Sequence, residues 1–195
     1  MDAKRISSGT RERLLEAAEW LTLRDGVAKM TLDAVSREAG VSKGGLLYHF
    51  PTKDALIGGM IERFIERFEG DIEENLRDEE GVGSWVRAYA KACFAPSERQ
   101  QNLSVTTALV AAAANDPKLA DPLRKRYGIW QRRVEDDGLE PALATLIRLA
   151  IDGAWLAELF GLAPPSEKLR DDVLEEMLRL SRETGADAVE KRDAR

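Results

Sequence analysis

The sequence predicts an all-α protein. Apolar residues recur at spacings of three and four along nearly the whole chain of 195 residues, and no sustained alternation marks a strand. Hydrophobic residues make up 44% and charged residues 33%, which is typical of a globular protein and excludes a largely disordered chain. The 29 basic and 35 acidic residues give a net charge of −6, which at first sight argues against a nucleic-acid partner.

Capping residues define the first four helices. Gly26 is a C-terminal cap of the first helix. Thr31 and Ser42 are N-caps of two short helices, and Gly40 ends the first of these two. Thr52 caps a fourth helix. The first three helices form a predicted domain over residues 1–52.

Five more helices follow a break at residues 81–83. They are expected over about 84–94, 101–114, a segment that begins at Pro117 or Pro122, 141–160 and 167–182. Together with the fourth helix they form a second predicted domain over residues 53–184. The polar residues 185–195 are expected to be a disordered tail.

Two short helices joined by Gly40-Val41-Ser42 predict a helix-turn-helix, in which the second helix enters the DNA major groove. Its first residues, Lys43, Gly44 and Gly45, would face the bases, and the two glycines would let the backbone approach the DNA closely. The downstream residues Tyr48, His49 and Lys53 could donate hydrogen bonds to phosphates. An αα-hairpin without a DNA role is the alternative that spacing alone leaves open.

Residues 10–57 resemble the DNA-binding domain of the TetR family of transcriptional regulators. The resemblance rests on Leu14 to Ala18, on Leu32 to Ser42 through the turn, and on the block from Lys43 to Leu56. It implies phosphate contacts by Thr31, Tyr48, His49 and Lys53 and base contacts by Lys43, Gly44 and Gly45, and we place Ser42 in the same DNA-binding set. Gly45 and Leu47 depart from the residues common in the family.

The acidic total is unevenly distributed. Residues 1–67 carry a net charge of +1, whereas residues 68–195 carry −7. The overall charge therefore does not exclude DNA binding by the N-terminal domain.

Aromatic residues in the second domain predict an apolar ligand pocket between helices. Its candidate residues are Trp85, Tyr89, Cys93, Thr106, Tyr127 and Trp130. A filled core is the alternative for each of these aromatic residues. The resemblance to the family implies a ligand pocket in this domain, and we expect its unknown effector to be small and apolar or aromatic.

The helix over 141–160 is apolar on more than one face, which indicates burial in a core or a subunit interface. The resemblance implies that the last two helices form a four-helix interface with a second copy. The candidate interface residues are Leu146, Leu149, Gly153, Leu156, Phe160, Val173 and Met177.

Gly58 and Gly59 lie inside the predicted fourth helix, where each glycine costs about 1 kcal/mol relative to alanine. Close packing on the first helix is one explanation for the pair. A hinge that lets ligand binding tilt the DNA-binding domains is the other.

These observations predict a ligand-responsive repressor that binds a palindromic, double-stranded DNA operator as a homodimer and is released by a small molecule. A helical adaptor or ligand-binding protein that has lost DNA contact is the alternative. We expect no enzyme activity, since catalytic and phosphate-binding motifs are missing from the sequence, and no cofactor or metal. The single cysteine excludes an internal disulfide, and without a signal peptide or apolar span we expect a cytoplasmic protein with no membrane partner.

Overall fold

The computed structural model describes the backbone of residues 3–94 and 99–193, and the side chains of residues 9–94 and 103–183. All regular structure in this part of the chain is helical, which confirms the predicted fold class. The helices are α1 (Ala3–Asp25), α2 (Leu32–Glu38), α3 (Lys43–His49), α4 (Lys53–Leu76), α5 (Ser84–Phe94), α6 (Arg99–Asn115), α7 (Pro117–Glu135), α8 (Pro141–Phe160) and α9 (Glu167–Asp193).

The predicted caps of the short helices are confirmed. The side-chain oxygens of Thr31, Ser42 and Thr52 each accept a hydrogen bond from the backbone N–H three residues later, at 3.2, 3.1 and 3.0 Å respectively. Gly26 and Gly40 have φ angles of +84° and +62°, a left-handed backbone that glycine adopts without strain. These local devices fix the ends of α1, α2 and α3.

The chain forms two compact units, Met1–Ile65 with Gln100–Leu123, and Glu66–Arg99 with Arg124–Arg195. Along the chain, the first unit gives way to the second within α4, after Ile65. The domain boundary predicted from the sequence lies earlier, at residue 52. The N-terminal half of α4 joins the first unit because Met60 and Ile61 are buried there and Arg63 forms ion pairs with α1.

Phe50, the residue that follows α3, packs against α4 at Gly59. A Cβ atom at position 59 would lie 2.6 Å from Cε1 of Phe50 and 3.4 Å from Cδ2 of Leu15. At position 58 a Cβ atom would meet nothing within 4 Å. Close packing therefore accounts for Gly59 and does not account for Gly58.

In the second unit, α5 packs against α8 and α9. The loop before α8 is bonded to the start of α5. The carboxylate of Asp137, in that loop, accepts hydrogen bonds from the backbone N–H groups of Trp85 and Val86, at 3.0 and 2.9 Å. Arg87 is buried and binds Glu79. Burial raises the pKa of Glu79, but hydrogen bonds and charges from Arg87 and Lys91 outweigh burial and hold it below its usual value.

The start of α7 agrees with one of the two predicted positions, whereas the end of α9 differs from expectation. α7 begins at Pro117 and runs through Pro122, so the first of the two predicted starts is the observed one. The backbone of α9 continues to Asp193, whereas the sequence predicts a disordered tail over residues 185–195. Residues 186–193 contain alanine, glutamate and lysine, which favour helix and can extend α9 past Gly185. Within the described residues, no helix combines the length and apolar character that crossing a membrane requires.

The contact between Gly59 and Phe50 predicts different outcomes for the two adjacent glycines. Gly59→Ala should lower the free energy of unfolding by about 1–3 kcal/mol, because a methyl group there overpacks the site against the buried ring of Phe50. Gly58→Ala is the matched control and should leave stability unchanged or raise it by up to about 1 kcal/mol. Urea denaturation of both variants measures the difference, and equal effects would contradict the packing explanation.

Candidate functional sites

One surface of α3 is presented to solvent while the opposite side is buried. Leu46 of α3 is fully buried, as is Val35 of α2, whereas Tyr48 is 80% exposed and Lys43 is mostly exposed. Thr31 and Ser42, the two N-caps, are exposed as well. The helix-turn-helix therefore brings Thr31, Ser42, Lys43 and Tyr48 to the accessible part of α2, α3 and their turn.

Both lysines that are predicted to contact DNA, Lys43 and Lys53, are bonded to other groups of the protein. Nζ of Lys43 lies 2.9 Å from Oδ1 of Asp33, in an ion pair between the starts of α3 and α2. Nζ of Lys53 donates a 2.9 Å hydrogen bond to the backbone carbonyl of Ala28, in the loop between α1 and α2. Contact with DNA by either lysine therefore has to share or exchange these bonds.

The two glycines at the start of α3 play different structural parts. Gly44 is exposed, and a Cβ atom there would meet nothing within 4 Å, which suits a close approach by DNA. Gly45 is half-buried, and a Cβ atom there would lie 3.0 Å from Cγ1 of Val41 and 3.3 Å from the Ser42 hydroxyl. The absence of a side chain at Gly45 therefore also serves the packing of the turn.

His49 ends α3 beside two aromatic rings. Its ring centroid is 5.1 Å from that of Tyr48 in an edge-on arrangement, and 6.4 Å from that of Phe50. His49 is half-buried, and Leu47 is partly exposed where it offers no hydrogen-bond donor. The geometry leaves Tyr48 as the most accessible of the predicted phosphate donors on α3.

An aromatic cluster fills part of the second unit. Trp85 stacks on Tyr89 with ring centroids 5.3 Å apart, Tyr89 lies 6.0 Å from Trp130, and Trp130 lies 4.9 Å from Tyr127. The ring of Phe68 contacts both Tyr89 and Trp130. Four predicted pocket residues thus lie together, in contact with one another as in a packed core.

Polar groups are embedded in this aromatic cluster. The Tyr89 hydroxyl donates a 2.6 Å hydrogen bond to Oδ1 of Asp152, and Nη1 of Arg148 lies 2.5 Å from Oδ2 of the same carboxylate. Burial raises the pKa of Asp152, although the Tyr89 hydroxyl and the charge of Arg148 oppose this rise. Burial also raises the pKa values of the Tyr89 and Tyr127 hydroxyls, so both stay protonated at neutral pH.

Phe68, Arg148 and Asp152 belong to this cluster but are not among the predicted pocket residues. A signal was available for the last two, since an opposite charge pair four residues apart inside an apolar helix is costly unless it is buried with partners. Cys93 is half-buried, and after burial it is a further cause of the raised pKa of the Tyr89 hydroxyl. Thr106 is buried on α6 and belongs to the first unit, so the cluster described within the second unit does not contain it.

The predicted interface residues divide into an exposed row and a buried part. Leu146, Leu149, Leu156 and Phe160 of α8 are 64, 54, 40 and 45% exposed. Gly153 is also exposed, whereas Val173 is half-buried. Met177 is only 6% exposed within the protomer. We call the row of Leu146, Leu149, Gly153, Leu156 and Phe160 the α8 face.

A shallow groove adjoins one end of the α8 face. It has a volume of about 410 Å³ and is lined by Glu135, Pro141, Ala142, Thr145, Leu146 and Leu149. Because apolar atoms provide most of its lining, it can accept an apolar side chain from a partner surface.

A helix-turn-helix with an exposed second helix, followed by a helical domain, defines a regulatory protein of the DNA-binding class. Comparison with known families agrees: residues 14–60 match the family described as bacterial regulatory proteins, tetR family, and residues 83–182 match the tetracyclin repressor-like C-terminal domain. The chain belongs to the TetR family. Membership makes it a regulatory protein and not an enzyme.

Similar proteins extend this result. The nucleoid occlusion factor SlmA of Aliivibrio fischeri strain MJ11 is 30% identical over 95 residues, which are 48% of this chain and 48% of that protein. This chain thus spans about half the length of that curated relative. A Streptomyces coelicolor A3(2) protein assigned as a transcriptional regulator is 25% identical over 88% of this chain and 98% of its own, with a TM-score of 0.66. SmeT, solved as a complex with triclosan, has a TM-score of 0.64 at 21% identity, covering 88% of this chain and 91% of its own, and shows the same fold.

The hydrogen bond between Tyr89 and Asp152 predicts a pH-dependent stability effect. Because the pKa of Asp152 is raised by folding, its ionisation lowers the free energy of unfolding as the pH rises, and the bond from Tyr89 offsets part of that loss. Tyr89→Phe should therefore lower the free energy of unfolding by roughly 1.5 kcal/mol at pH 8, and by less at a pH where Asp152 is protonated. Urea denaturation at several pH values measures this, with Tyr48→Phe as the control that should change nothing. A loss that does not vary with pH would contradict the assignment to ionised Asp152.

Proposed function

We propose that this protein is a ligand-responsive transcriptional repressor that binds a palindromic DNA operator as a homodimer in the cytoplasm and is released by a small apolar or aromatic molecule. The observation that supports it most directly is the accessible surface of α3, with Lys43, Gly44 and Tyr48 exposed on a helix whose other side is anchored in the core. Membership of the TetR family supports the same function.

DNA recognition uses residues of α2, α3 and the start of α4. Lys43 and Gly44 face the bases, while Thr31, Tyr48, His49 and Lys53 face phosphates. Each side chain stands next to a helix end that a cap holds in place, which reduces the entropy lost when the contact forms. Acidic residues balance the cations of the N-terminal domain, so its net attraction to DNA is small and two domains must dock together for high affinity.

A duplex selected by the full-length protein from a random-sequence pool tests DNA binding. The selected duplex should be near-palindromic, with half-sites about one helical turn (~34–36 Å) apart, and binding should weaken steeply as salt rises. Lys43→Ala should reduce affinity for it roughly tenfold or more. Lys125→Ala removes an exposed cation elsewhere and serves as the control. Failure to enrich any duplex would overturn the proposed function.

A second copy of the chain covers the α8 face. Four large apolar side chains at helical spacing lie on one side of α8 with Gly153 among them, and this small residue permits close approach of a partner helix. Leu162, in the loop after α8, and Leu169, in the first turn of α9, are also more than half exposed and extend the apolar surface. Self-association through such a surface gives a two-fold dimer, which a palindromic operator requires.

Charge placed on the α8 face tests the dimer. Leu149→Glu should shift the protein from dimer to monomer, because the carboxylate would be buried without a partner in the interface. The protomer should still fold, since Leu149 is 54% exposed within it. Leu23→Glu changes a similarly exposed leucine of α1 and should leave the dimer intact. Sedimentation equilibrium measures both, and a dimeric Leu149→Glu variant would contradict this interface.

The effector binds at the aromatic cluster around Tyr89, where the packed rings must separate to admit it. The cluster offers aromatic faces from Trp85, Tyr127 and Trp130, and the polar pair of Asp152 and Arg148 inside an apolar surrounding. Ligand sites in helical bundles have this composition, in which apolar walls supply affinity and a few polar groups supply orientation. The effector acts by favouring a conformation that binds the operator less well.

Triclosan, which SmeT binds, is a suitable first probe of this site. It should release the protein from its selected duplex and quench the fluorescence of Trp130. Trp130→Phe should reduce that quenching and leave the contribution of Trp85, which lies in the same cluster, whereas Trp20→Phe, on α1, should preserve it. Release without any change in the Trp130 signal would place the effector elsewhere.

A further inference from the structure

Asp33 is an acidic residue on the surface that we assign to DNA. It lies in the first turn of α2, two residues after Thr31, and its carboxylate is 63% exposed. Its backbone carbonyl accepts hydrogen bonds from the Ser36 hydroxyl at 3.1 Å and from Nε of Arg37 at 3.2 Å. A carboxylate at this place opposes the approach of phosphates, so its presence on the proposed DNA-binding surface requires an explanation.

The carboxylate of Asp33 holds the ammonium group of Lys43, at 2.9 Å. An ammonium group has three N–H donors, so the ion pair leaves two for a base. A free lysine is a point charge on a flexible stem and is attracted to any phosphate within reach. In the ion pair, the ammonium group of Lys43 points toward Asp33, and the Asp33 carboxylate neutralises most of its positive charge.

We propose that Asp33 determines DNA specificity by positioning Lys43 for a base acceptor and cancelling its attraction to phosphates of any sequence. This role rests on the proposed DNA-binding function. An exposed ion pair contributes little to stability, at most about 1 kcal/mol, so its effect is expected in recognition and not in folding. Lys43 can keep its bond to Asp33 while it donates to a base, whereas neutralising a phosphate requires that it leave.

Two duplexes and two matched variants of the full-length protein test the role of Asp33. The first duplex is the one enriched from the random-sequence pool, and the second is a shuffled duplex of equal length and composition. Asp33→Asn should raise affinity for the shuffled duplex by roughly threefold to tenfold and steepen its salt dependence by about one ion, because Lys43 is freed to bind phosphate. The ratio of the two affinities should fall.

Glu38→Gln removes an equal charge from an exposed position five residues further along α2. It should change both affinities by the same factor and preserve their ratio. In a Lys43→Ala background, Asp33→Asn should behave like Glu38→Gln, since the lysine that it releases is gone. Thermal unfolding of all variants should match that of the parent protein.

The outcomes separate the two levels of the proposal. If no duplex is enriched, the proposed function fails and the role of Asp33 fails with it. If a duplex is enriched but Asp33→Asn preserves the ratio of the two affinities, the role of Asp33 alone is overturned. The same follows if Asp33→Asn lowers that ratio as much in the Lys43→Ala background as it does in the parent protein.

Discussion

The contact of Phe50 with the backbone of α4 at Gly59 fixes the end of α3, the second helix of the helix-turn-helix. Phe50 follows α3 directly, and its buried ring occupies the space that a side chain at position 59 would fill. Close-packed interiors do not yield to an added methyl group without moving neighbouring atoms. The orientation of α3 relative to α4 within the first unit therefore depends on a missing side chain, and the exposed positions of Lys43 and Tyr48 depend on that orientation.

The parts of the fold that local chemistry determines could be predicted from sequence. Thr31, Ser42 and Thr52 cap helices because their side chains reach backbone donors three residues away, and Gly40 turns the chain because it accepts a positive φ. The contact between Tyr127 and Trp130 on α7 followed from their spacing of three residues. These features need no knowledge of how distant segments meet.

The remaining features depend on such distant contacts. The pairing of Tyr89 with Asp152 joins residues 63 positions apart, and the spacing within either helix does not reveal it. Met177 shares a helical face with exposed residues, yet packing within the protomer buries it. In each case tertiary contact decides between two readings that the local pattern permits.

Asp137 has a consequence for motion in the second unit. Its side chain accepts from the first N–H groups of α5, and its backbone carbonyl accepts a 2.9 Å hydrogen bond from N–H of Gly83. The loop before α5 and the loop before α8, separated by about fifty residues in sequence, are thereby fastened to each other. Neither loop can open without breaking bonds of the other, so amide hydrogens in both should exchange with solvent as one cooperative unit.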